Sequence, residues 1–153
     1  MAELLPTILM VEDDAADAGL LKRGFEQAGV LNPIVHLRDG DDALAYLAGV
    51  GPYNDRNKYP LPALILLDLK MPGMTGLQLL QWMRTQRDVR RIPVVVLTSS
   101  DDLPTVNSAY DAGASSYLVK PGNPHEIAKL VLAIQGYWIE LNQPPQLVMR
   151  AEK

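Results

Sequence analysis

The sequence predicts a doubly wound α/β domain, in which helices cover both faces of a parallel sheet. Five short apolar segments alternate along the chain with five longer segments whose apolar residues recur at helical spacing. Most of the short segments are apolar at every position, and strands of that kind must be covered on both faces, as in a parallel sheet between helices. The chain has 153 residues, which suits one domain with a substantial core.

The first two strands and helices follow from apolar runs and from residues that begin or end helices. In chain order we expect a strand at 8–11, a helix that ends near Gly29, a strand at 34–37 and a short helix that ends before Gly49. Either Asp13 or Asp14 can cap the first helix, because a carboxylate accepts hydrogen bonds from free backbone N–H groups. That helix has one apolar face, formed by Ala18, Leu21, Phe25 and Ala28.

The remaining elements continue the alternation. Strands are predicted at 63–67, 92–97 and 117–119, and helices at 75–86 and 102–112. We expect the helix at 75–86 to bury Leu77, Leu80 and Met83. The last helix has the clearest start, with Asn123 as its cap and Pro124 in the first turn. Its apolar residues recur at helical spacing: Ile127, Leu130, Val131, Ile134, Trp138 and Leu141.

Two segments lie outside the alternating pattern. Residues 49–62 form a long loop rich in Gly, Pro and Asn, and loops of that length in a compact domain are usually functional or mobile. Residues 142–153 contain two prolines and little apolar surface, which predicts a flexible tail. The expected organisation is therefore one domain at 1–141, followed by the tail.

Composition argues against several classes of function. There is no cysteine, which removes disulfides, thiolate metal sites and a cysteine nucleophile. A net charge of −4 and a pI near 5.1 argue against direct binding of nucleic acid, which needs a basic face. The apolar runs are too short to span a bilayer, and the N-terminus lacks the pattern of a secretion signal. We therefore expect a cytoplasmic protein with no membrane partner.

Polar residues stand directly after four of the five predicted strands. They are Glu12, Asp13, Asp14, Asp68, Thr98, Ser99 and Lys120. In open parallel sheets, ligands bind beyond the carboxyl ends of the strands, where the strand order reverses. For a flavodoxin-like strand order of 2-1-3-4-5, these side chains would converge at one edge. Taken singly, most such residues are caps, turn residues or surface charges, so the site is predicted by their joint occurrence.

The residue types at this edge favour phosphoryl chemistry with a magnesium ion. Clustered carboxylates repel one another unless a cation neutralises them, and oxygen ligands with no His or Cys nearby favour Mg²⁺. An aspartate in such a site can attack phosphorus and form an acyl phosphate. The metal, a lysine and a hydroxyl can stabilise the phosphoryl charge. His36 lies in a predicted strand and His125 in a first helical turn, so neither is a candidate for a catalytic triad.

Four motifs make the sequence resemble the receiver domain of two-component response regulators. They are ILMVEDD, LILLDLKMPGMTG, PVVVLTSS and SYLVKP, in that order and each at the end of a predicted strand. Each motif alone is weak evidence, whereas the set is highly specific. The resemblance covers residues 6–140. The long 49–62 loop and the lack of an output domain after residue 140 are most similar to single-domain regulators paired with phytochrome-type sensor kinases.

The resemblance implies a role for each residue of the predicted site. Asp68 would be the phosphoacceptor. The ligands of Mg²⁺ would be Asp13 directly, Glu12 through water, Asp68, and the backbone carbonyl of Lys70. The phosphoryl-binding and switch residues would be Thr98, Ser99, Lys120 and the reorienting ring of Tyr117. The Lys120–Pro121 peptide bond would be cis, and Asp14 would only cap the first helix.

The function that the resemblance implies is a phosphorylation switch. A sensor histidine kinase would donate its phosphoryl group to Asp68, and the domain would catalyse only its own phosphorylation and dephosphorylation. With no output domain, we expect the signal to pass by contact with a downstream protein, with the kinase or with a second copy of the chain. Tyr137 and Trp138 are adjacent on the last helix, so at least one would lie near a surface that a homodimer could use.

Three other functions are weaker on the same residues. A Mg²⁺-dependent phosphohydrolase with an aspartate nucleophile needs a second acid two residues after it, where this chain has Lys70. A nucleotide- or flavin-binding module needs a phosphate-binding loop after the first strand, where this chain has acids. A receiver fold that serves only for docking or dimerisation has no use for mutually repelling acids. The sequence therefore favours the switch.

Overall fold

A computed structural model describes residues 5–145 and places in them a five-stranded parallel sheet between two layers of helices. The strands are β1 (Ile8–Val11), β2 (Ile34–Leu37), β3 (Leu64–Leu67), β4 (Val94–Thr98) and β5 (Ser116–Val119). The helices are α1 (Ala15–Gln27), α2 (Gly40–Ala48), α3 (Gly76–Arg84), α4 (Leu103–Asp111) and α5 (Pro124–Ile134). A short 3-10 turn covers Gly51–Tyr53, and a π-helical segment, Gln135–Leu141, directly follows α5.

The strand order is β2-β1-β3-β4-β5, which confirms the predicted doubly wound, flavodoxin-like topology. At the end of β1, Val11 aligns with Leu37 of β2 and with Leu67 of β3. At the end of β4, Thr98 aligns with Val119 of β5. Because all the strands run in the same direction, their last residues meet at one side of the sheet, which we call the carboxyl edge. Of the polar residues predicted to form a site, Thr98 is itself the last residue of β4, and the others follow the ends of the strands.

The sheet separates two apolar cores, and alternate residues of its strands face opposite cores. In β1, Leu9 and Val11 belong to the core under α2, α3 and α4, whereas Ile8 and Met10 belong to the core under α1 and α5. All residues of β1, β3 and β4 are buried, as expected for strands covered on both faces. The fully apolar runs of the sequence were therefore the correct signal for this fold.

Side chains cap the helix starts at the carboxyl edge, and the sequence predicted the caps of α1 and α5. The α1 cap is Asp14, whose carboxylate accepts a 3.0 Å hydrogen bond from the Asp17 N–H. Thr75 and Gln78 form a reciprocal capping box at the start of α3. Asn123 caps α5 by accepting a 2.9 Å bond from the Glu126 N–H. The sequence left Asp13 and Asp14 open as caps, and the structure assigns the cap to Asp14.

Two helices bury different residues from those predicted. In α3, Leu79 is fully buried with Leu80 and Met83, whereas Leu77 is only half-buried, because the sheet-facing stripe includes the position before Leu80. The last helix changes to π-helical geometry at Gln135, so its turns are wider than the 3.6-residue period assumed from the sequence. Leu141 is consequently 77% exposed, although the helical spacing had placed it on the buried face.

The loop at 49–62 is closely packed against α2. Gly49 ends α2 with a φ of 70°, a conformation that glycine adopts at little cost. The Arg56 guanidinium then donates to the carbonyls of Tyr46 and Leu47, each at 2.7 Å, and to that of Tyr59 at 3.2 Å. The rings of Tyr46, Tyr53 and Tyr59 contact one another at centroid distances of 5.1–6.0 Å. This loop therefore has its own hydrogen-bonded structure.

The end of the chain tests the predicted tail only in part. Residues 142–145 follow the π-helical segment without regular structure, and residues 146–153 lie outside the described residues. The boundary at 141 stays a prediction. Within residues 5–145, the helices are too short and too polar to cross a bilayer.

Candidate functional site

The carboxyl edge brings together three acids that follow two neighbouring strands. Glu12 and Asp13 follow β1 and Asp68 follows β3, and a carboxylate oxygen from each lies within 4.8 Å of the other two. Glu12 and Asp68 are buried, at 2% and 6% exposure, while Asp13 is half-buried. The sequence placed these acids together because β1 and β3 are neighbours in the sheet, and the structure brings them together there.

Lys120, directly after β5, reaches into this acidic cluster. Its Nζ atom lies 2.8 Å from Glu12 Oε1, 2.8 Å from Asp17 Oδ2 and 3.2 Å from Asp68 Oδ2. The lysine side chain is 11% exposed. The Lys120 ammonium, at the end of β5, therefore links the acids at the ends of β1 and β3 with an acid of α1.

Sequence reasoning missed Asp17, because it considered only residues that directly follow strands. Asp17 lies in the first turn of α1, and its backbone is held by the Asp14 cap. An acid at this position is favoured by the positive end of the helix dipole, so it has an ordinary structural explanation. The available signal was that α1 begins at the carboxyl edge, so an acid in its first turn can face the site.

Burial and charge shift the proton affinities of the two most closely paired groups. Burial raises the pKa of Glu12 from 4.5 to about 7, with a further rise from the nearby Asp68 charge, although the hydrogen bond from Lys120 acts against this shift. Hydrogen bonds from Lys120 to Asp17 and Glu12 outweigh the effect of burial and raise the pKa of the lysine. Lys120 is therefore a permanent cation, whereas Glu12 can carry a proton near neutral pH.

The backbone around Asp68 fixes the position of its carboxylate. The Asp68 N–H donates to the Val11 carbonyl at 3.0 Å, and Asp68 Oδ1 accepts a 3.1 Å hydrogen bond from the Lys70 N–H. Gly76, at the start of α3, lies so close to the Asp68 carbonyl oxygen that a Cβ atom there would overlap it. The approach of α3 to the end of β3 therefore depends on glycine at position 76.

His36 supports the same edge from β2. Its Nε2 atom lies 2.8 Å from the Glu12 carbonyl oxygen, at hydrogen-bonding distance. The sequence analysis gave His36 no catalytic role, and its contact with the Glu12 backbone is a structural one.

Thr98 is buried at the end of β4 with an unpaired hydroxyl. It is 0% exposed, and among the described residues no protein group bonds its Oγ1 atom. Such a group has a desolvation cost of about 1–3 kcal/mol when nothing compensates it. Ser99 is exposed, in contrast, and lies at the surface of the same loop. The structure thus separates the two hydroxyls that the sequence had grouped.

The loop after Thr98 is connected both to β5 and to α4. The Tyr117 hydroxyl donates to the Ser100 carbonyl at 2.6 Å, and the Ser100 hydroxyl donates to Asp102 Oδ2 at 2.5 Å. The other oxygen of Asp102 caps α4 by accepting from the Thr105 N–H and hydroxyl. These bonds lower the pKa of Asp102 to about 2, and burial raises the pKa of Tyr117.

The predicted cis bond before Pro121 is wrong. The structure contains no cis peptide bond in the described residues, so Lys120–Pro121 is trans. Proline lowers the preference for trans to about 0.5–1 kcal/mol without abolishing it, so the residue alone does not determine the isomer. The Lys120 N–H donates to the Thr98 carbonyl at 2.7 Å, which aligns the lysine with β4.

The cluster has the donor chemistry of a site for a hard divalent cation. It offers carboxylate oxygens from Glu12, Asp13 and Asp68, and burial together with the nearby Asp68 charge raises the pKa of Glu12. The backbone of Lys70 is anchored to Asp68 by its N–H, and its side chain is exposed. These residues fit Mg²⁺ or a similar ion that prefers oxygen ligands.

Comparison with known families agrees with this arrangement. Residues 8–132 match the model of the response regulator receiver domain. Among curated proteins, the chain is 37% identical over 133 residues to the response regulator Rcp1 of Synechocystis sp.. The aligned residues cover 87% of this chain and 88% of Rcp1. It is 38% identical over 138 residues to FilR2 of Methanothrix harundinacea, a probable methanogenesis regulatory protein, covering 90% of this chain and 86% of FilR2.

Solved structures give the same result. The phosphorylated cyanobacterial phytochrome response regulator RcpA superposes with a TM-score of 0.87 at 32% identity, covering 93% of this chain and 99% of RcpA. The Mn²⁺-bound form of Rcp1 superposes with a TM-score of 0.84 at 35% identity, covering 92% of this chain and 99% of Rcp1. One of these similar structures is therefore phosphorylated and the other holds a divalent metal.

Proposed function

The chain belongs to the response regulator receiver domain family, and we therefore propose that it is a single-domain phosphorylation switch whose phosphoacceptor is Asp68. The observation that carries the proposal is the position of Asp68. Its carboxylate is buried, lies 3.2 Å from the Lys120 ammonium and shares an acidic cluster with Glu12 and Asp13. A nucleophile for phosphorus, a fixed cation and candidate metal ligands thus meet at one edge.

Phosphoryl transfer to Asp68 needs little covalent chemistry from the rest of the protein. A carboxylate oxygen of Asp68 attacks the phosphorus of a phosphohistidine on a partner sensor kinase, forming an O–P bond as the N–P bond breaks. The imidazole leaves with the electrons of that bond and takes a proton from solvent. Lys120 stabilises the phosphoryl charge, because its ammonium is already directed at Asp68 Oδ2.

A divalent ion held by Glu12, Asp13, Asp68 and the Lys70 carbonyl would neutralise the acids and polarise the phosphoryl group. Mg²⁺ is the proposed ion, in view of the donor set and the Mn²⁺-bound form of Rcp1. Lys70 stands two residues after the nucleophile, where an aspartate phosphohydrolase would need an acid. We therefore propose that hydrolysis is limited to the domain's own acyl phosphate.

The phosphorylated form differs from the unmodified form by the partner available to Thr98. A phosphoryl group on Asp68 supplies anionic acceptors for the unpaired Thr98 hydroxyl. Movement of Thr98 changes the loop that Tyr117 and Asp102 hold through Ser100. The switch is thus a population shift driven by a local change of charge.

The partners follow from the family and from the relatives. Receiver domains take phosphoryl groups from histidine kinases, and the similarity to RcpA favours a kinase of the phytochrome type. We propose a cytoplasmic protein whose output is contact with a downstream protein, with the kinase or with a second copy of the chain.

The direct test is phosphorylation by a small donor. The full chain is incubated with Mg²⁺ and acetyl phosphate, and intact-mass spectrometry should show one added phosphoryl group. Asp68→Asn should abolish the addition and EDTA should prevent it, while Asp101→Asn, an exposed acid near the same edge, should leave it unchanged. A phosphoryl group that survives Asp68→Asn would disprove the assignment.

A further inference from the structure

The Lys120 ammonium lies closer to Asp17 and Glu12 than to Asp68, the proposed phosphoacceptor. The distances are 2.8 Å to Asp17, 2.8 Å to Glu12 and 3.2 Å to Asp68. A lysine ammonium has three N–H donors and no acceptor. Its three donors therefore already have three carboxylate partners, and a phosphoryl oxygen can bind Lys120 only by replacing one of them.

The three carboxylates differ in what it costs them to lose the lysine. The Glu12 side chain is 3% exposed, so water cannot readily replace Lys120 there, and a charged Glu12 would need another cation beside it. Asp68 is the group that would itself be modified. The Asp17 side chain is 34% exposed, so water can replace Lys120 there at the lowest cost. Asp17 is therefore the partner that a phosphoryl oxygen displaces.

We propose that Asp17 is a positioning residue, which holds the Lys120 ammonium beside Asp68 before phosphoryl transfer and releases it to the phosphoryl group afterwards. This inference rests on the proposed function. It assigns Asp17 a role that opposes the phosphorylated state, because Asp17 competes with the phosphoryl oxygen for the same N–H donor. The position of Asp17 is well defined, since its N–H is fixed by the Asp14 cap at 3.0 Å.

The test measures the affinity for beryllofluoride, an analogue of the phosphoryl group, by isothermal titration calorimetry in saturating Mg²⁺. Asp17→Asn removes the competing charge with almost no change of shape, and we expect it to bind beryllofluoride about threefold more tightly, the effect of a partly exposed ion pair. The gain should shrink in high salt, which screens exposed charges. A structural role in α1 alone would change neither the affinity nor its salt dependence.

The matched control is Asp14→Asn. It removes a charge from the same end of α1, and asparagine can still cap the helix. The Lys120 ammonium donates to Glu12, Asp17 and Asp68 and makes no contact with the Asp14 side chain. Asp14→Asn should bind beryllofluoride as the wild type does. Circular dichroism and thermal unfolding of both variants, and of Asp17→Ser as a second substitution, establish that each is folded.

The outcomes separate the inference from the function on which it rests. Tighter binding by Asp17→Asn alone supports the release of Lys120. Unchanged or weaker binding by Asp17→Asn, or an equal gain in Asp14→Asn, overturns it, because the effect would then be absent or a general effect of charge. Failure of the wild type to bind beryllofluoride with Mg²⁺ would instead count against the proposed function.

Discussion

At the scale of single residues, the buried hydroxyl of Thr98 has no hydrogen-bond partner in residues 5–145. Valine has nearly the same shape as threonine without the hydroxyl, so Thr98→Val removes a buried polar group that has no partner. We expect the free energy of unfolding of this variant to be about 1 kcal/mol higher than that of the wild type. Chemical denaturation with and without beryllofluoride measures this gain, and the stabilisation by the analogue should become smaller.

A second threonine provides the control for this prediction. The Thr105 hydroxyl donates to Asp102 at 2.6 Å, so Thr105→Val removes a hydrogen bond that is made. This variant should be destabilised, opposite in sign to Thr98→Val. If both variants lost stability, the hydroxyl of Thr98 would have a partner that the structure does not contain.

Glu12 gives the apoprotein a specific pH dependence. Its pKa is raised from 4.5 to about 7 in the folded protein, so between these values the folded state binds more protons than the unfolded state. Stability in EDTA should therefore fall as the pH rises from about 4.5 to 7, by at most about 1.4 kcal/mol per pH unit. Denaturation curves across this range measure the slope, and Glu12→Gln should remove its contribution. A slope that persists in Glu12→Gln would assign the effect to another group.

The predictability of the site depends on how each residue is connected to the sheet. Asp68, Glu12 and Lys120 could be predicted because each directly follows an apolar strand, and parallel topology then requires them to meet. Asp17 was missed, because its place in the first turn of α1 shows that it can face the site but not that it does. Pro121 was mispredicted because the isomer of its bond depends on tertiary contacts, which one sequence does not contain.

At the scale of elements, the junction of β3 and α3 depends on a glycine. A Cβ at Gly76 would overlap the Asp68 carbonyl oxygen, so Gly76→Ala must move either α3 or Asp68. We expect a loss of about 1–3 kcal/mol in unfolding free energy and slower phosphorylation by acetyl phosphate. Gly136→Ala is the control, since a Cβ there meets no other atoms within 4 Å. Equal stability of the two variants would show that α3 can shift without cost.

The 49–62 loop provides a second prediction at this scale. Arg56 donates to three backbone carbonyls through a planar guanidinium, a geometry that lysine cannot reproduce. Arg56→Lys should lower the unfolding free energy by about 1–2 kcal/mol and speed hydrogen exchange in the loop. Arg87 is exposed, so Arg87→Lys should change stability by less than about 0.5 kcal/mol. Unchanged exchange in Arg56→Lys would mean that the tyrosine rings alone hold the loop.

The elements themselves could be predicted more completely than their details. Every strand and α-helix was located, because apolar runs, helical spacing and capping residues such as Asn123 are local signals. The packed structure of the loop was not, since the partners of Arg56 are backbone carbonyls and carry no sequence signal. The exposure of Leu141 was also missed, because the change to π-helical turns breaks the period on which the prediction depended.

For the whole molecule, binding of a divalent ion should stabilise the fold as ligand binding stabilises any native state. At Mg²⁺ concentrations of about 100 times the Kd, the expected gain is about 2.7 kcal/mol. Asp13→Asn should lose most of this gain, while Asp14→Asn, which lies outside the acidic cluster, should keep it. Thermal unfolding with EDTA or Mg²⁺ measures the difference. Equal stabilisation of both variants by Mg²⁺ would place the ion elsewhere.

The global topology could be deduced because burial on two faces leaves few arrangements for a chain of this kind. Strands such as β1, buried at every position, require helices on both sides, and short connections restrict the order of the strands. The sequence thus determined where a site must lie before any contact within it was known.

The serine bridge between Tyr117 and Asp102 has a mechanical consequence. The Ser100 carbonyl accepts a hydrogen bond from Tyr117 in β5, and the Ser100 hydroxyl donates one to Asp102, the cap of α4. The peptide after Thr98 therefore cannot move without straining one of these two bonds. The bond to Asp102 is the weaker of the two, because Asp102 is exposed and water competes for its carboxylate. A displacement of Thr98 would therefore break the bond to Asp102 first and loosen the first turn of α4. A change of charge at the buried edge would then reach the outer surface as local disorder.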